Sequence, residues 1–164
     1  KDIDGLTDVN LGKIVKGKKD ALIPCTPLAV LKMIEHFEID IQGADVCIIG
    51  RSNIVGKPLA NLLTNKHATV TLCHSKTKNL KDITKNSDII VVAVGKKHFL
   101  TEDMVSEKSY IFDVGINVEN GKLYGDVDFK NIKNIVKGIT PVPKGVGAVT
   151  NTLLIKNTLK NIEG

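Results

Sequence analysis

The stretch VCIIGRSNIVGKPLANLL, residues 46–63, decides how the rest of the chain is read. It opens as an apolar, partly β-branched run, breaks at Gly50, passes a second glycine at Gly56 and continues as a helix-forming segment. A strand, a glycine turn and a helix in that order are the parts from which a dinucleotide-binding loop is made. Ser52 stands where the usual G-x-G-x-x-G pattern has its second glycine. A small residue with a hydroxyl donor can serve there if the anion lies slightly further out. Pro58 falls in the first turn of the predicted helix, where its missing N–H has no partner to lose.

Outward from this loop, apolar runs alternate with amphipathic ones. Thr26-Pro27 predicts an N-cap followed by proline at the first helical position, opening a helix over 27–38 whose apolar face carries Leu28, Leu31, Ile34 and Phe37. Strands are expected at 45–50, 69–73, 88–95 and 109–115, with a short one near 136–140. Between them fall helices at 55–66 and 79–86 and a short helix at 101–105 behind a Thr101 cap, and a helix over 148–162 ends the chain. Residues 1–25 read as loop and short helix. This alternation predicts an α/β fold, a Rossmann-like, doubly wound and mainly parallel sheet with helices on both faces. Gly50, Cys73, Gly95 and Gly115 each close a strand, so the residues after them should line one crevice at the carboxyl edge of the sheet.

The second strand bears on which nucleotide fits. A site that prefers NAD places an acidic residue about 20 residues beyond the loop, on the ribose hydroxyls. Here LCHSKTKNL (72–80) has no Asp or Glu before Asp82 and offers Ser75, Lys76 and Lys78, with Arg51 across the first loop. A carboxylate repels a 2′-phosphate, whereas a guanidinium grips it through two hydrogen bonds, so these residues favour NADP.

Composition narrows the alternatives. With 42% hydrophobic and 25% charged residues the chain reads as a single soluble globular domain, its core resting on Ile, Val and Leu because Trp is absent. The net charge of +5 is spread through interleaved acidic residues, and aromatic platforms for stacking bases are scarce, which argues against nucleic acid. No apolar run has the length of a membrane span. Cys25, Cys47 and Cys73 cannot all pair with one another, and no Cys-x-x-Cys or His/Cys cluster offers a metal site, which points to a reducing, cytoplasmic setting. His36, His67 and His98 read as surface or cap residues. The chain begins at Lys1 rather than Met, which is expected of a fragment or of a processed product.

The segments KDIDGL (1–6), PCTP (24–27), GRSNIVGKP (50–58), ATVTLCHSKT (68–77), VVAVG (91–95), DVGIN (113–117), GDVDF (125–129) and ITPVPKGVG (139–147) occur in order. Together they resemble the bifunctional methylenetetrahydrofolate dehydrogenase/methenyltetrahydrofolate cyclohydrolase family, and specifically its C-terminal, NADP-binding half. The resemblance implies one domain over 1–164, with 1–25 as the connection from an N-terminal catalytic domain and 148–162 as a helix returning to it. It implies NADP as cofactor, tetrahydrofolate derivatives as substrates and a homodimer. The implied chemistry is hydride transfer from methylenetetrahydrofolate to NADP, followed in the intact enzyme by hydrolysis of the methenyl product to 10-formyltetrahydrofolate.

By the same resemblance Gly50, Arg51 and Ser52 bind the cofactor's phosphates, Ser75 stands beside the 2′-phosphate and Ile116 lies at the nicotinamide end, while Gly56 completes the cofactor loop by permitting close packing at the helix start. Asp4, Pro143, Gly145, Val146 and Gly147 face the folate. Asp113 and Asp126, at strand ends, read as structural hydrogen-bonding groups.

The sequence departs from the family at two places. Lys144 replaces the second glycine of PVPGGVG. It is strained if that position needs a positive φ; otherwise its ammonium can face an anionic group of either ligand. The family's cyclohydrolase lysine, in a Tyr-x-x-x-Lys motif, is absent, since neither Tyr110 nor Tyr124 has Lys four residues later. No catalytic residue is therefore expected within 1–164, and weak or no turnover is expected of the isolated chain. The alternative reading is a nucleotide-binding or regulatory module without chemistry.

Overall fold

Val46 to Ile49 explain the architecture. In this strand, β1 (Asp45–Ile49), all four residues are at most 2% exposed, so both faces of the pleat are covered. Period-two geometry sends Val46 and Ile48 to one face and Cys47 and Ile49 to the other. A continuous apolar, largely β-branched run with no polar face is the signature of a central parallel strand. The computed structural model of the chain describes residues 2–163, with side chains through residue 159.

β1 pairs in parallel with β2 (Thr69–Cys73) on one side and β3 (Ile89–Val92) on the other. β4 (Tyr110–Asp113) and the two-residue β7 (Gly138–Ile139) extend the sheet, giving the order β2-β1-β3-β4-β7, every pair parallel. The chain leaves β1 through α3 (Gly56–Thr64) to reach β2, then passes back through α4 (Leu80–Asn86) to β3. Strand order therefore reverses at β1, and the crevice between the carboxyl ends of β1 and β3 is the place where open α/β sheets bind ligands.

On one face, α2 (Cys25–His36), α3 and α6 (Val146–Glu163) pack Ala29, Val30, Ile34, Leu59, Leu63 and Val146 against Val46, Ile48, Ile89 and Val91. On the other, α4 and α5 (Phe129–Ile132) bring Leu80, Ile83 and Ile132 onto Cys47, Ile49, Ile90 and Val92. Each fully buried Val or Ile of these strands contributes about 1.5–3 kcal/mol of transfer free energy. Edge strand β2 instead exposes Thr69 and Thr71.

The expected doubly wound sheet is present, with differences at the ends of elements. α2 starts at Cys25 rather than 27, and its N-cap is Pro24, not Thr26. The cap comes from elsewhere in the chain: the Cys25 N–H donates to Asp4 Oδ1 at 3.3 Å. Phe37, placed by helical spacing on the apolar face, lies past the helix end and is 59% exposed. The segment at 101–105 is a 3-10 turn, Glu102–Met104, and the Thr101 hydroxyl bonds to Asp103 Oδ1 rather than capping it. α6 begins two residues before the expected 148, and the side chain of Ile162 lies outside those described.

Four elements were not anticipated individually, among them the short helix α5. α1 (Asp8–Val15) lies inside the segment read as loop and short helix, capped by the Thr7 hydroxyl. β5 (Asn117–Glu119) and β6 (Lys122–Tyr124) form an antiparallel hairpin turning at Asn120-Gly121, with φ of 50° and 73°. Asn-Gly is the strongest short-range hairpin signal, and positive φ at both turn residues is what it supplies.

Candidate functional site

The β1–α3 loop is built on two close approaches. Gly50 has φ +122°, and a Cβ there would stand 2.2 Å from the Ala93 carbonyl oxygen at the end of β3. A Cβ at Gly56 would stand 1.8 Å from the Gly50 carbonyl oxygen, so glycine lets the start of α3 fold onto the strand end. Ser52 does more than replace a glycine. Its Oγ accepts from the N–H groups of Val55 (3.1 Å) and Gly56 (3.5 Å), and the Lys57 N–H donates to the Ser52 carbonyl at 3.0 Å. The first N–H groups of α3 are thus capped from within the loop. The open donors are the backbone N–H groups of Arg51, Ser52, Asn53 and Ile54, which bond to no described group. The loop, not the helix end, therefore carries the unpaired donors. Arg51 is exposed and makes no hydrogen bond or ion pair among the described residues.

Beside this loop, at the end of β2, residues 74–77 form a turn closed twice. The His74 N–H donates to the Thr77 hydroxyl at 2.8 Å, and the Thr77 N–H returns to the His74 carbonyl at 2.8 Å. His74 Nδ1 accepts from the Lys76 N–H at 3.1 Å, so this imidazole is engaged in shaping the turn. Ser75, Lys76 and Lys78 are exposed on its outside. Arg51 and Ser75 follow two neighbouring strands, since Ile49 is in register with Cys73.

At the ends of β4 and β7 a cleft of about 330 Å³ brings Ile116 together with Pro143, Lys144, Gly145 and Gly147. Ile116 is 65% exposed. Val146, expected to face the same space, is 2% exposed and packs into the core at the start of α6, so its side chain holds the helix rather than a ligand. Lys144 has φ +76°, the conformation that disfavours any side chain. It lines both this cleft and a neighbouring one of about 490 Å³ against Met33, Phe37 and Tyr110, and so sits on the ridge between them. Asp4 does not line the first cleft. It stands at the start of α2, beside the Cys25 thiol, which burial and then the Asp4 carboxylate push up to about 11.

A buried carboxylate pair closes the floor. Asp113 Oδ1 accepts from the N–H groups of Gly115 (3.0 Å) and Asp126 (2.9 Å), and Oδ2 from Val127 (3.0 Å). Burial outweighs these bonds and pushes the Asp113 carboxyl up to about 6, with the neighbouring Asp126 adding to the rise. Asp126 in turn binds the loop after β3 and the Asn117 side chain. Both carboxylates hold backbone rather than face solvent, as read from the sequence. Their mutual contact is a long-range feature that no local pattern announces.

The comparisons with known proteins agree with this geometry. Residues 24–164 match the family described as tetrahydrofolate dehydrogenase/cyclohydrolase, NAD(P)-binding domain. The bifunctional protein FolD of Clostridium novyi (strain NT) is 52% identical over 163 residues, covering 99% of this chain and 58% of that protein. The crystal structure of the bifunctional FolD methylenetetrahydrofolate dehydrogenase/cyclohydrolase from Campylobacter jejuni superimposes with a TM-score of 0.94 at 48% identity, covering 98% of this chain and 57% of that one. A Trypanosoma brucei relative, solved with NADP cofactor and inhibitor, gives 0.90 at 38% identity over 97% of this chain and 57% of its own. The chain therefore spans somewhat more than half the length of these relatives. With the loop, the crevice and the match all in place, this chain belongs to the tetrahydrofolate dehydrogenase/cyclohydrolase family and carries its NAD(P)-binding domain.

Proposed function

We propose that the chain is the dinucleotide-binding half of an enzyme that oxidises methylenetetrahydrofolate with NADP and hydrolyses the methenyl product to 10-formyltetrahydrofolate. The observation that carries this reading is the β1–α3 loop, with four open N–H groups at the point where strand order reverses and a tight turn whose close backbone approaches at Gly50 and Gly56 leave no room for a Cβ. Those features fit a diphosphate. When bound, NADP supplies the acceptor for the hydride leaving the one-carbon bridge.

In this reading each residue has a stated task. Gly50, Arg51 and Ser52 bind the phosphates, and Gly56 allows α3 to approach them. The Ser52 hydroxyl hydrogen, which no described group accepts, can donate to a phosphate oxygen while its oxygen keeps the helix capped. Arg51 and Ser75 flank the 2′-phosphate, and the absence of a carboxylate between Cys73 and Asp82 leaves nothing to repel it. Ile116 presents an apolar surface to the nicotinamide end, where exclusion of water and a fixed ring orientation govern hydride transfer. Pro143, Gly145 and Gly147 line the folate side, and Val146 anchors that loop through the core. Asp4 can offer one oxygen to the pterin's amino-pyrimidine edge while the other caps α2. The general acid/base of the hydrolytic step is assigned to a lysine outside residues 1–164. Tetrahydrofolate derivatives, an N-terminal domain and a second copy of the chain are the partners, in the cytoplasm.

Titration of the chain with each dinucleotide tests the reading. NADP is expected to bind at least about tenfold more tightly than NAD, the worth of one charge-assisted contact. Equal affinities, or NAD the tighter, would defeat it. A polypeptide extended upstream of Lys1 is expected to form methenyltetrahydrofolate, followed by its absorbance.

A further inference from the structure

Asp126 is 0% exposed, yet no Lys or Arg side chain pairs with it among the described residues. Four N–H donors take the place of a cation. Oδ2 accepts from the backbone of Val94 (2.7 Å) and Gly95 (2.8 Å), and Oδ1 from the Lys96 backbone (2.8 Å) and the Asn117 side-chain amide (2.9 Å). Three consecutive backbone N–H groups converging on one anion form a nest of the kind that elsewhere receives phosphate. This nest lies at the carboxyl end of β3, beside the reversal point, and the chain's own carboxylate fills it.

The same carboxylate governs the loop after β4. The α-carbon of Gly115 rests on it so closely that a Cβ there would stand 2.1 Å from the Asp126 carboxyl carbon. Asn117, two residues on, holds Asp126 and also reaches the Tyr124 carbonyl at 3.4 Å. From outside, the Lys97 ammonium pairs with Glu119 and stands 3.7 Å over the Tyr124 ring, tying the hairpin to the loop after β3. Ile116 is therefore held on both sides while its own side chain stays in the open cleft.

We infer that Asp126 is a positioning residue for the dinucleotide: it occupies the nest after β3, leaving Arg51–Ile54 as the anion loop, and through Gly115 and Asn117 it fixes Ile116 as the wall for the nicotinamide ring. The inference rests on the dinucleotide reading above and assigns a task to a residue that touches neither ligand. An enclosed carboxylate with four donors resists displacement, because breaking the cluster leaves a buried charge unsatisfied. The wall is rigid for that reason, although its exposed side chain has few contacts of its own.

The test uses NADPH and this chain, reading two quantities from one titration: the dissociation constant, dominated by the phosphates, and the fluorescence anisotropy of the bound reduced ring. Asn117→Ala removes one anchor and leaves the three backbone bonds to Asp126. It is expected to weaken binding by no more than roughly fivefold, the worth of one hydrogen bond, while the anisotropy of the saturated complex falls. Asp126→Asn is expected to lower the anisotropy further. Ile132→Val, a fully buried core change on the far side of the sheet from α6, controls for stability and is expected to leave the anisotropy unchanged. Unchanged anisotropy in Asn117→Ala, or an equal fall in Ile132→Val, overturns the inference. Absence of NADPH binding by the unaltered chain overturns the dinucleotide reading instead, and this inference falls with it.

Discussion

Gly115 and Asp126 occupy one space between them: the missing side chain of the first is filled by the carboxylate of the second, and a Cβ at Gly115 would lie 2.2 Å from Asp126 Oδ1. Gly125 stands in the same relation to Asp113, with 1.8 Å to Oδ2. Each carboxylate thus needs a glycine on the opposite segment. Gly115→Ala is expected to destabilise the fold by about 1–3 kcal/mol or more, because neither backbone nor a fully bonded carboxylate can move aside. Gly147→Ala, in the first turn of α6 with nothing within 4 Å of its Cβ, is expected to be neutral or stabilising. Urea midpoints of the two variants check the contrast.

Asp113 gives the fold a pH dependence of unusual sign for a carboxylate. Its folded pKa of about 6 lies above the ordinary 3.8, so between these values the native state binds more proton than the unfolded chain. Stability from this group is therefore fully present below 3.8 and is lost as pH rises through about 6. Asp20, Glu35, Asp88 and Asp103 are held below their usual range, chiefly by hydrogen bonds from lysines, and act in the opposite direction at lower pH. The measurement is consequently a difference. Unfolding free energy of the wild type minus that of Asp113→Asn is expected to fall between pH 4 and pH 6 and to be flat above, and a flat difference throughout would contradict it.

Lys144 occupies φ +76° with an exposed side chain that makes no hydrogen bond or ion pair among the described residues. Glycine is at home in that conformation, whereas an L side chain costs roughly 1 kcal/mol. Lys144→Gly is expected to raise the unfolding free energy by about that amount, and a lowered value would show that the lysine has a compensating contact. The sequence left two alternatives at this position, strain or an anion-facing ammonium. The backbone angle establishes the first; titrating the glycine variant with NADP decides whether the second holds as well.

Arg51 and Ser75 lie on loops after adjacent strands, with no carboxylate nearby in sequence. Arg51→Ala is expected to weaken NADP binding by roughly 10- to 100-fold, the worth of a charge-assisted bidentate contact, with little change for NAD. Calorimetric titration of both dinucleotides separates the two effects, and a parallel loss for both would place Arg51 on the shared diphosphate instead.

The parts of this molecule that were legible in the sequence are those written in contiguous residues. Val46–Ile49, the Gly50 turn and the helix after Gly56 form one local pattern, and the strand-helix alternation around it is enough to specify the parallel sheet. The errors arise where distant residues intervene. Thr26 has the composition of a cap, but Asp4 arrives from another segment and takes the role. The strand expected over 88–95 ends at Val92 because the N–H groups of Val94, Gly95 and Lys96 turn away to Asp126. The 109–115 strand ends at Asp113, where the Val114 N–H still reaches the Val92 carbonyl of β3 but the Gly115 N–H turns back to Asp113 Oδ1. The Asn120-Gly121 hairpin was readable, but its three-residue strands are too short to show a period.

The thiols of Cys47 and Cys73 lie 3.7 Å apart across β1 and β2, both wholly enclosed, whereas Cys25, also buried, lies at the start of α2 between Asp4 and Asn157 of α6. An alkylating reagent reaches the first two only when β1 and β2 come apart, so their modification rate, followed residue by residue, is a clock for opening of the sheet. Cys25, released once the first segment and the end of α6 that cover it fray, should run ahead of it. The chain thus carries its own pair of reporters, one for breathing at its margin and one for collapse of the scaffold beneath the nucleotide loop.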